Sequence, residues 1–66
     1  MTRMEDTLNK CKGRLCYVYW TNGYISEGYI KKNDNEWIFD EIVCNQIKTK
    51  KLDVDKISYI RILNNF

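Results

Sequence analysis

The sequence contains no histidine and no proline, only three glycines, and no long apolar run. Histidine is the side chain most often used as a general base near neutral pH, so its absence argues against acid–base catalysis. No Gly-rich phosphate loop followed by Lys-Ser or Lys-Thr is present either. Paired carboxylates occur at Asp40-Glu41 and at Asp53 and Asp55. Carboxylate catalysis would need them to face each other across a cleft that a domain this small does not offer. We therefore expect a protein that is not an enzyme.

The three cysteines, Cys11, Cys16 and Cys44, cannot all pair within one chain. Their spacing matches no zinc pattern, and there is no histidine to complete a metal site. We interpret them as small buried hydrophobic residues in a reducing compartment, and we expect neither a metal nor a cofactor.

Charge and hydropathy point away from a membrane. No apolar run approaches the roughly 20 residues that a spanning helix needs, and the N-terminus is too polar for a secretory signal. We expect a cytoplasmic protein.

The net charge does not indicate a ligand. Eleven basic residues are nearly balanced by nine acidic ones, so only the distribution of charge could indicate a nucleic-acid ligand.

The length of 66 residues allows one domain, 1–66. A chain this short buries only about 60% of its unfolded surface, so its stability is marginal without further burial. Disulfides and metals are not indicated, so self-association is the favoured source of that burial.

The most informative segment is a pair of aromatic-rich, β-branched runs joined by Asn22-Gly23, LCYVYW-TNG-YISEGYI. Asn-Gly is the strongest short-range signal for a β-hairpin because both residues tolerate a positive φ. Gly28 then falls within the second strand, where glycine indicates a sharp bend or a close approach of other backbone. A tight hairpin followed by a bent strand is typical of a small β-barrel.

Periodicity predicts a short helix over residues 3–11 that ends before Gly13. A period of two then predicts five strands, at about 14–21, 24–32, 36–43, 46–52 and 57–63. The predicted fold is mainly β: a short N-terminal helix and a five-stranded, strongly bent antiparallel sheet that forms a small, partly open barrel over about 14–63.

This arrangement resembles the Sm-like family, and its Hfq branch most closely. The resemblance is carried by Leu8 in the helix and by the run CYVYWTNG over residues 16–23. It continues with Gly28 five residues after Gly23, Asp34 in the following loop, and the pair Ile57-Ser58 in the last strand. The resemblance implies a ring, usually of six or seven subunits, in which strand four of one subunit pairs with strand five of the next. SH3-like barrels can carry a similar pattern.

Family members hold a nucleotide with an aromatic residue shortly after the loop aspartate and with a Lys-His pair before the last strand. The first position corresponds to Glu36 here, or to Trp37 after a one-residue shift. The second reads Val54-Asp55-Lys56, so a carboxylate stands where Hfq has histidine, and the Arg-Gly of the Sm proteins is also missing. A carboxylate facing a phosphate is unfavourable.

Binding of single-stranded RNA requires cations that follow the phosphates and aromatic rings that stack on bases. The residues that we predict for RNA binding are Lys31, Lys32, Asp34, Asn35, Trp37, Lys56, Tyr24 and Tyr29. Those predicted for the contact between subunits are Lys48, Lys50, Ile57, Tyr59 and Arg61. There are simpler interpretations: lysines of the fourth strand, Lys51 included, can protect an edge from aggregation, and Trp37 can be a core or subunit contact.

The function predicted from the sequence is a homo-oligomeric Sm/Hfq-like ring that binds single-stranded RNA through stacking and lysine–phosphate contacts. Two alternatives stay open. An SH3-like interaction module could hold a partner peptide against Tyr17, Tyr19 and Tyr24. A ring could instead hold a small nucleotide-like ligand in repeated pockets.

Overall fold

The computed structural model describes residues 3–63, and the predicted elements are present in the predicted order. Helix α1 spans Arg3–Cys11, and the strands are β1 (Leu15–Trp20), β2 (Ile25–Asn33), β3 (Glu36–Val43), β4 (Gln46–Lys51) and β5 (Ile57–Ile62). The mainly-β fold with a short N-terminal helix is therefore confirmed. One element was not predicted: the connection between β4 and β5 contains a 3-10 turn, Val54–Lys56. The few residues at each end of the 1–66 domain lie outside the described part.

The five strands form one antiparallel sheet in the order β4-β3-β2-β1-β5. Within residues 3–63 the sheet does not close into a barrel, because β4 and β5 do not pair with each other. Both of these strands are edges, and the register of β5 against β1 shifts between Tyr19 and Trp20. The sheet thus has two free edges, as expected for a partly open barrel.

Three short turns connect the first four strands. Between β1 and β2, Gly23 has a φ of 94° and its N–H donates to Trp20 O over 3.0 Å. Between β3 and β4, Cys44 and Asn45 have φ values of 52° and 66°. Two successive positive φ values are the signature of a type I′ hairpin turn, whose twist matches that of the strands it joins.

The hydrophobic core lies on one face of the sheet, between the sheet and α1. Its fully buried members include Leu8 of the helix, Val18 of β1, Ile30 of β2 and Phe39 of β3. The end of the helix is attached to β2 by the Gly13 N–H, which donates to Ile30 O over 2.9 Å. A nine-residue helix is too short to be stable alone, so this docking is what keeps it folded. None of the helices that the structure describes is long and apolar enough to cross a membrane.

Of the two explanations predicted for Gly28, a sharp bend or a close backbone approach, the structure shows the close approach. A Cβ atom built at this position would collide with the main-chain oxygen of Asp40 on the neighbouring β3. Glycine is the residue that lets two backbones come this close.

The interpretation of the cysteines is right for two positions and wrong for the third. Cys11 and Cys16 are buried, but Cys44 is exposed in the β3–β4 turn. Burial raises the pKa of Cys11, and burial beside Cys11 raises the pKa of Cys16 to about 12. Cys44 differs because it lies in the two-residue turn between β3 and β4, at the tip of the hairpin and outside the core.

Candidate nucleic-acid interface

An open cleft of about 510 Å³ lies where the β1–β2 turn meets the connection between β4 and β5. The two segments are joined by a hydrogen bond from the Thr21 N–H to Lys56 O, 2.9 Å long. We call this region the Trp20 cleft. Its lining residues are Trp20, Thr21, Asn22, Tyr24, Ser26, Glu41, Lys50, Lys51, Asp53 and Lys56. It therefore combines two aromatic rings, three lysines and two carboxylates.

Trp20 occupies a fixed position between this cleft and the core. It is the last residue of β1, and its indole Nε1 donates a hydrogen bond to Ser26 Oγ over 2.8 Å. Its ring meets Phe39 edge to face, with centroids 6.4 Å apart and an interplanar angle of 77°. Such a T-shaped contact is one of the preferred aromatic geometries. The indole is thus held by a polar contact and an apolar contact at once.

Lys50 links Trp20 to Glu41. Its ammonium lies 5.7 Å from the centroid of the Trp20 ring and 3.1 Å from Glu41 Oε1. The first distance is that of a cation–π contact and the second that of an ion pair. Because the Lys50 side chain is 48% exposed, water screens both contacts and neither is strong.

The rim of the cleft comes from the β1–β2 turn and from the end of β4 with the connection that follows it. The Tyr24 N–H donates to Asn22 Oδ1 over 3.0 Å, an Asx contact that fixes the turn, and the Tyr24 side chain is 73% exposed. At the end of β4, Lys51 Nζ lies 3.5 Å from Glu36 Oε2, and both side chains are largely in water. An exposed ring and exposed lysines therefore line an opening in which Trp20 is the less exposed of the two rings.

The structure brings together only part of the predicted RNA-binding set. Tyr24 and Lys56 line the Trp20 cleft, as does Lys50, which was predicted for the subunit contact. Asp34 and Asn35 form the exposed β2–β3 turn, where Asp34 has a φ of 58°.

Trp37 is only 8% exposed and belongs to the core. The interpretation of Trp37 as a core residue is therefore correct, and its prediction as an RNA-binding residue is not supported. Lys32 Nζ lies 5.0 Å from the centroid of its ring. Lys32 and Trp37 pair directly across β2 and β3, so this cation–π contact is a cross-strand contact.

Lys31 and Tyr29 lie on the sheet face opposite the core, because neighbouring residues of a strand point to opposite sides. Lys31 Nζ lies 3.0 Å from Asp40 Oδ2, and Thr49 Oγ1 donates to Asp40 Oδ1 over 2.7 Å. The hydrogen bond from Thr49, followed by that from Lys31, lowers the pKa of Asp40. Tyr29 is 39% exposed. Lys31 and Lys32 consequently belong to different surfaces.

The residues predicted for the subunit contact lie on the two edge strands. Lys48 and Lys50 belong to β4, and Tyr59 and Arg61 are exposed on β5. The Tyr59 ring lies 5.6 Å from that of Tyr19 on the outer face. Ile57 differs from the others because its side chain is buried in the core of its own chain.

Trp20, Ser26, Glu41 and Asp53 line the cleft but were not predicted as site residues. One signal in the sequence could have indicated Ser26. Alternation along β2 places it on the same face as Gly28 and Ile30, which face the core. A polar side chain at such a position needs a hydrogen-bond partner. Alternation along β3 gives the same signal for Glu41, which falls on the side of Phe39, whereas for Asp53 the sequence holds no comparable signal.

Comparisons with profiles of known protein families, with curated protein sequences and with solved structures give no match for this chain. Within residues 3–63, no group of three or more cysteine or acidic residues is arranged to hold a metal ion.

Proposed function

We propose that this chain is the subunit of an Sm/Hfq-like homo-oligomeric ring that binds single-stranded RNA through aromatic stacking and lysine–phosphate contacts. The observation that carries the proposal is the Trp20 cleft, where two aromatic residues and three lysines converge on one opening. Stacking of a base on an aromatic side chain contributes about 1–3 kcal/mol, and lysines beside it can follow the backbone phosphates. Such a ligand would place the protein in the cytoplasm.

The backbone of β4 supports the assembly into a ring. The Leu52 N–H donates inward to Trp37 O over 2.9 Å, just after the end of β4. Because hydrogen bonding alternates along an antiparallel strand, Ile47, Thr49 and Lys51 direct their N–H and C=O groups to the free side. Among residues 3–63 no strand pairs with this side of β4, so the edge offers a row of donors and acceptors to another chain.

The backbone of β5 provides a second edge in the same way. The Leu63 N–H donates inward to Leu15 O over 2.9 Å, so the peptide groups of Ile60 and Ile62 are directed outward. Two free antiparallel edges on one small sheet are able to join copies end to end, and a closed ring leaves no edge unpaired.

Exposed apolar side chains on the same strands give a reason for the edges to associate. Ile47 of β4 is 63% exposed, and Tyr59 and Ile62 of β5 are 59% and 40% exposed. Burying these groups between subunits would supply apolar burial that a 66-residue monomer lacks. A ring also repeats the Trp20 cleft around its axis, so a weak contact at each copy adds up along one RNA strand.

Native mass spectrometry of the purified protein tests the assembly. Five to seven copies per particle is the expected result, and a monomer or dimer would contradict the ring and favour the peptide-binding module. Titration of a fluorescein-labelled single-stranded RNA, with a duplex of equal length as control, tests the ligand. We expect tighter binding of the single strand, weakening with added salt. Equal binding of both, or no binding, would contradict the RNA proposal.

A further inference from the structure

Glu41 directs a carboxylate into the Trp20 cleft from the face of β3 that supplies Trp37 and Phe39 to the core. It lies two positions after Phe39 on β3, so both side chains point to the same side of the sheet. Its side chain is 22% exposed, and its Oε1 is held by the Lys50 ammonium at 3.1 Å. In a cleft that bound only phosphates, a carboxylate at this position would weaken binding, because phosphate and carboxylate repel each other.

A carboxylate beside an aromatic ring suits the edge of a nucleobase. An ionised carboxylate only accepts hydrogen bonds, through two oxygens. The Watson–Crick edge of guanine presents two adjacent donors, N1–H and the N2 amino group, which match these oxygens in pairs. Adenine and cytosine present one amino group beside a ring acceptor, and uracil presents one N–H between two acceptor oxygens. Bases of single-stranded RNA are read on this edge while they stack on aromatic side chains.

Before a base can bind, Lys50 must leave both Glu41 and Trp20. Its ammonium forms an ion pair with the Glu41 carboxylate and lies over the Trp20 ring, 5.7 Å from the centroid. Because Lys50 is about half exposed, moving it away costs little. A nucleotide brings a phosphate that can replace Glu41 as the partner of Lys50. The move would uncover the Trp20 ring for stacking and the carboxylate for hydrogen bonding.

We propose that the Trp20 cleft is a guanine-preferring nucleotide site, in which Glu41 reads the base edge, Trp20 stacks on the base and Lys50 moves from Glu41 to the phosphate. The proposal rests on the proposed function insofar as the natural ligand is an RNA strand. It differs in the residues used from the nucleotide pocket that the Sm-like resemblance implies.

The first experiment is an NMR titration of the ¹⁵N-labelled protein with guanosine monophosphate and with uridine monophosphate. The indole N–H of Trp20 is the reporter, assigned by its loss in Trp20→Phe. We expect the guanine nucleotide to shift this signal at concentrations about tenfold lower than the uracil nucleotide, the ratio that one bidentate contact gives. Equal responses to the two nucleotides, or no response to either, would overturn the proposal.

The decisive variant is Glu41→Gln, which keeps the size of the side chain and replaces one acceptor oxygen by a donor. We expect the guanine nucleotide to lose its roughly tenfold advantage in this variant. Glu27→Gln on β2 is the matched control, because Glu27 lies on the outer face and the same chemical change there leaves the cleft untouched. An unchanged preference in Glu41→Gln, or an equal loss in Glu27→Gln, would overturn the assignment.

A second experiment separates this proposal from the RNA-binding function. The wild-type protein is titrated with a uridine hexamer and with the same hexamer carrying one central guanosine. A single guanosine per strand does not form quadruplexes. Tighter binding of the second RNA supports the site. Equal, salt-dependent binding of both would overturn guanine reading while leaving RNA binding in place. Failure of both RNAs with retained guanine nucleotide binding would overturn only the RNA function.

Discussion

Gly28 lies so close to the backbone carbonyl of Asp40 that a single added carbon atom would collide with it. The two residues belong to adjacent strands β2 and β3, at the centre of the sheet. Since the obstacle is main chain and not the flexible end of a side chain, it can be relieved only by moving one strand away from the other. This contact is therefore a test of how much the sheet depends on close backbone packing.

We predict that Gly28→Ala destabilises the protein by about 3 kcal/mol, the upper part of the usual range for overpacking. Urea unfolding followed by circular dichroism measures the change. Gly13→Ala is the control: its φ is +80° but no atom lies within 4 Å of an added Cβ. It should lose only the roughly 1 kcal/mol of an unfavourable left-handed backbone. Equal losses in the two variants would contradict a steric role for Gly28.

The Asp40 carboxylate on the outer face predicts a dependence of stability on pH. Hydrogen bonds from Thr49 and Lys31 lower the pKa of Asp40 below its value in the unfolded chain. Its contribution to stability is therefore fully present above the unfolded pKa, near 4, and is lost as the pH falls through the lower pKa of the folded state. We expect Thr49→Val to reduce the loss of stability between pH 7 and pH 3. Urea midpoints at several pH values measure it.

A double-mutant cycle provides the control for this pair. In the Asp40→Asn background the carboxylate is absent, so Thr49→Val should leave the pH dependence unchanged. If Thr49→Val has the same effect in both backgrounds, the hydrogen bond between the two side chains is not the cause.

The outward N–H of Ile47 allows assembly to be tested without breaking the fold. Proline is tolerated on an edge strand where the lost N–H faces away from the sheet. We predict that Ile47→Pro keeps the β-sheet circular dichroism but shifts native mass spectra to monomer. Ile47→Ala, which retains the N–H and loses only the side chain, should retain part of the oligomer. An oligomer that persists unchanged in Ile47→Pro would exclude β4 as a pairing edge.

Two lysines at the rim of the Trp20 cleft predict a change in the salt dependence of RNA binding. The double variant Lys51→Gln with Lys56→Gln should weaken binding and lower the slope of log K against log salt by about 1.4, at about 0.7 per phosphate contact on a single strand. The matched control neutralises Lys10 and Lys12 at the end of the helix, away from the cleft. Fluorescence anisotropy over a salt series measures both, and identical slopes in the two double variants would remove the rim lysines from the site.

Much of the fold could be predicted because its signals are local. Asn22-Gly23 marks a hairpin, and alternation located β3 at the observed residues, 36–43. The 3-10 turn Val54–Lys56 was missed because three residues carry no periodicity. The number of strands indicated only that the barrel would be partly open. How far β4 lies from β5 is decided by curvature summed over the sheet and not by any single residue.

The candidate site was harder to predict than the fold. Trp20, Glu41 and Lys50 come from three different strands, and their meeting depends on the register between those strands. Local patterns identified aromatic and cationic residues but not which of them share a surface. Lys31 and Lys32 illustrate the difficulty: adjacent in sequence, they belong to opposite faces, so a run of charge in a strand does not form one patch.

The three thiols of this chain differ in a way that is useful at the bench. Cys11 and Cys16 are enclosed and have raised pKa values, so almost none of either is the reactive thiolate near neutral pH. Cys44 stands in the open at a hairpin tip. A maleimide dye should therefore attach once per chain without any engineered substitution. Counting the photobleaching steps of single immobilised particles would then count their subunits, and distances between dyes would give the diameter of the assembly.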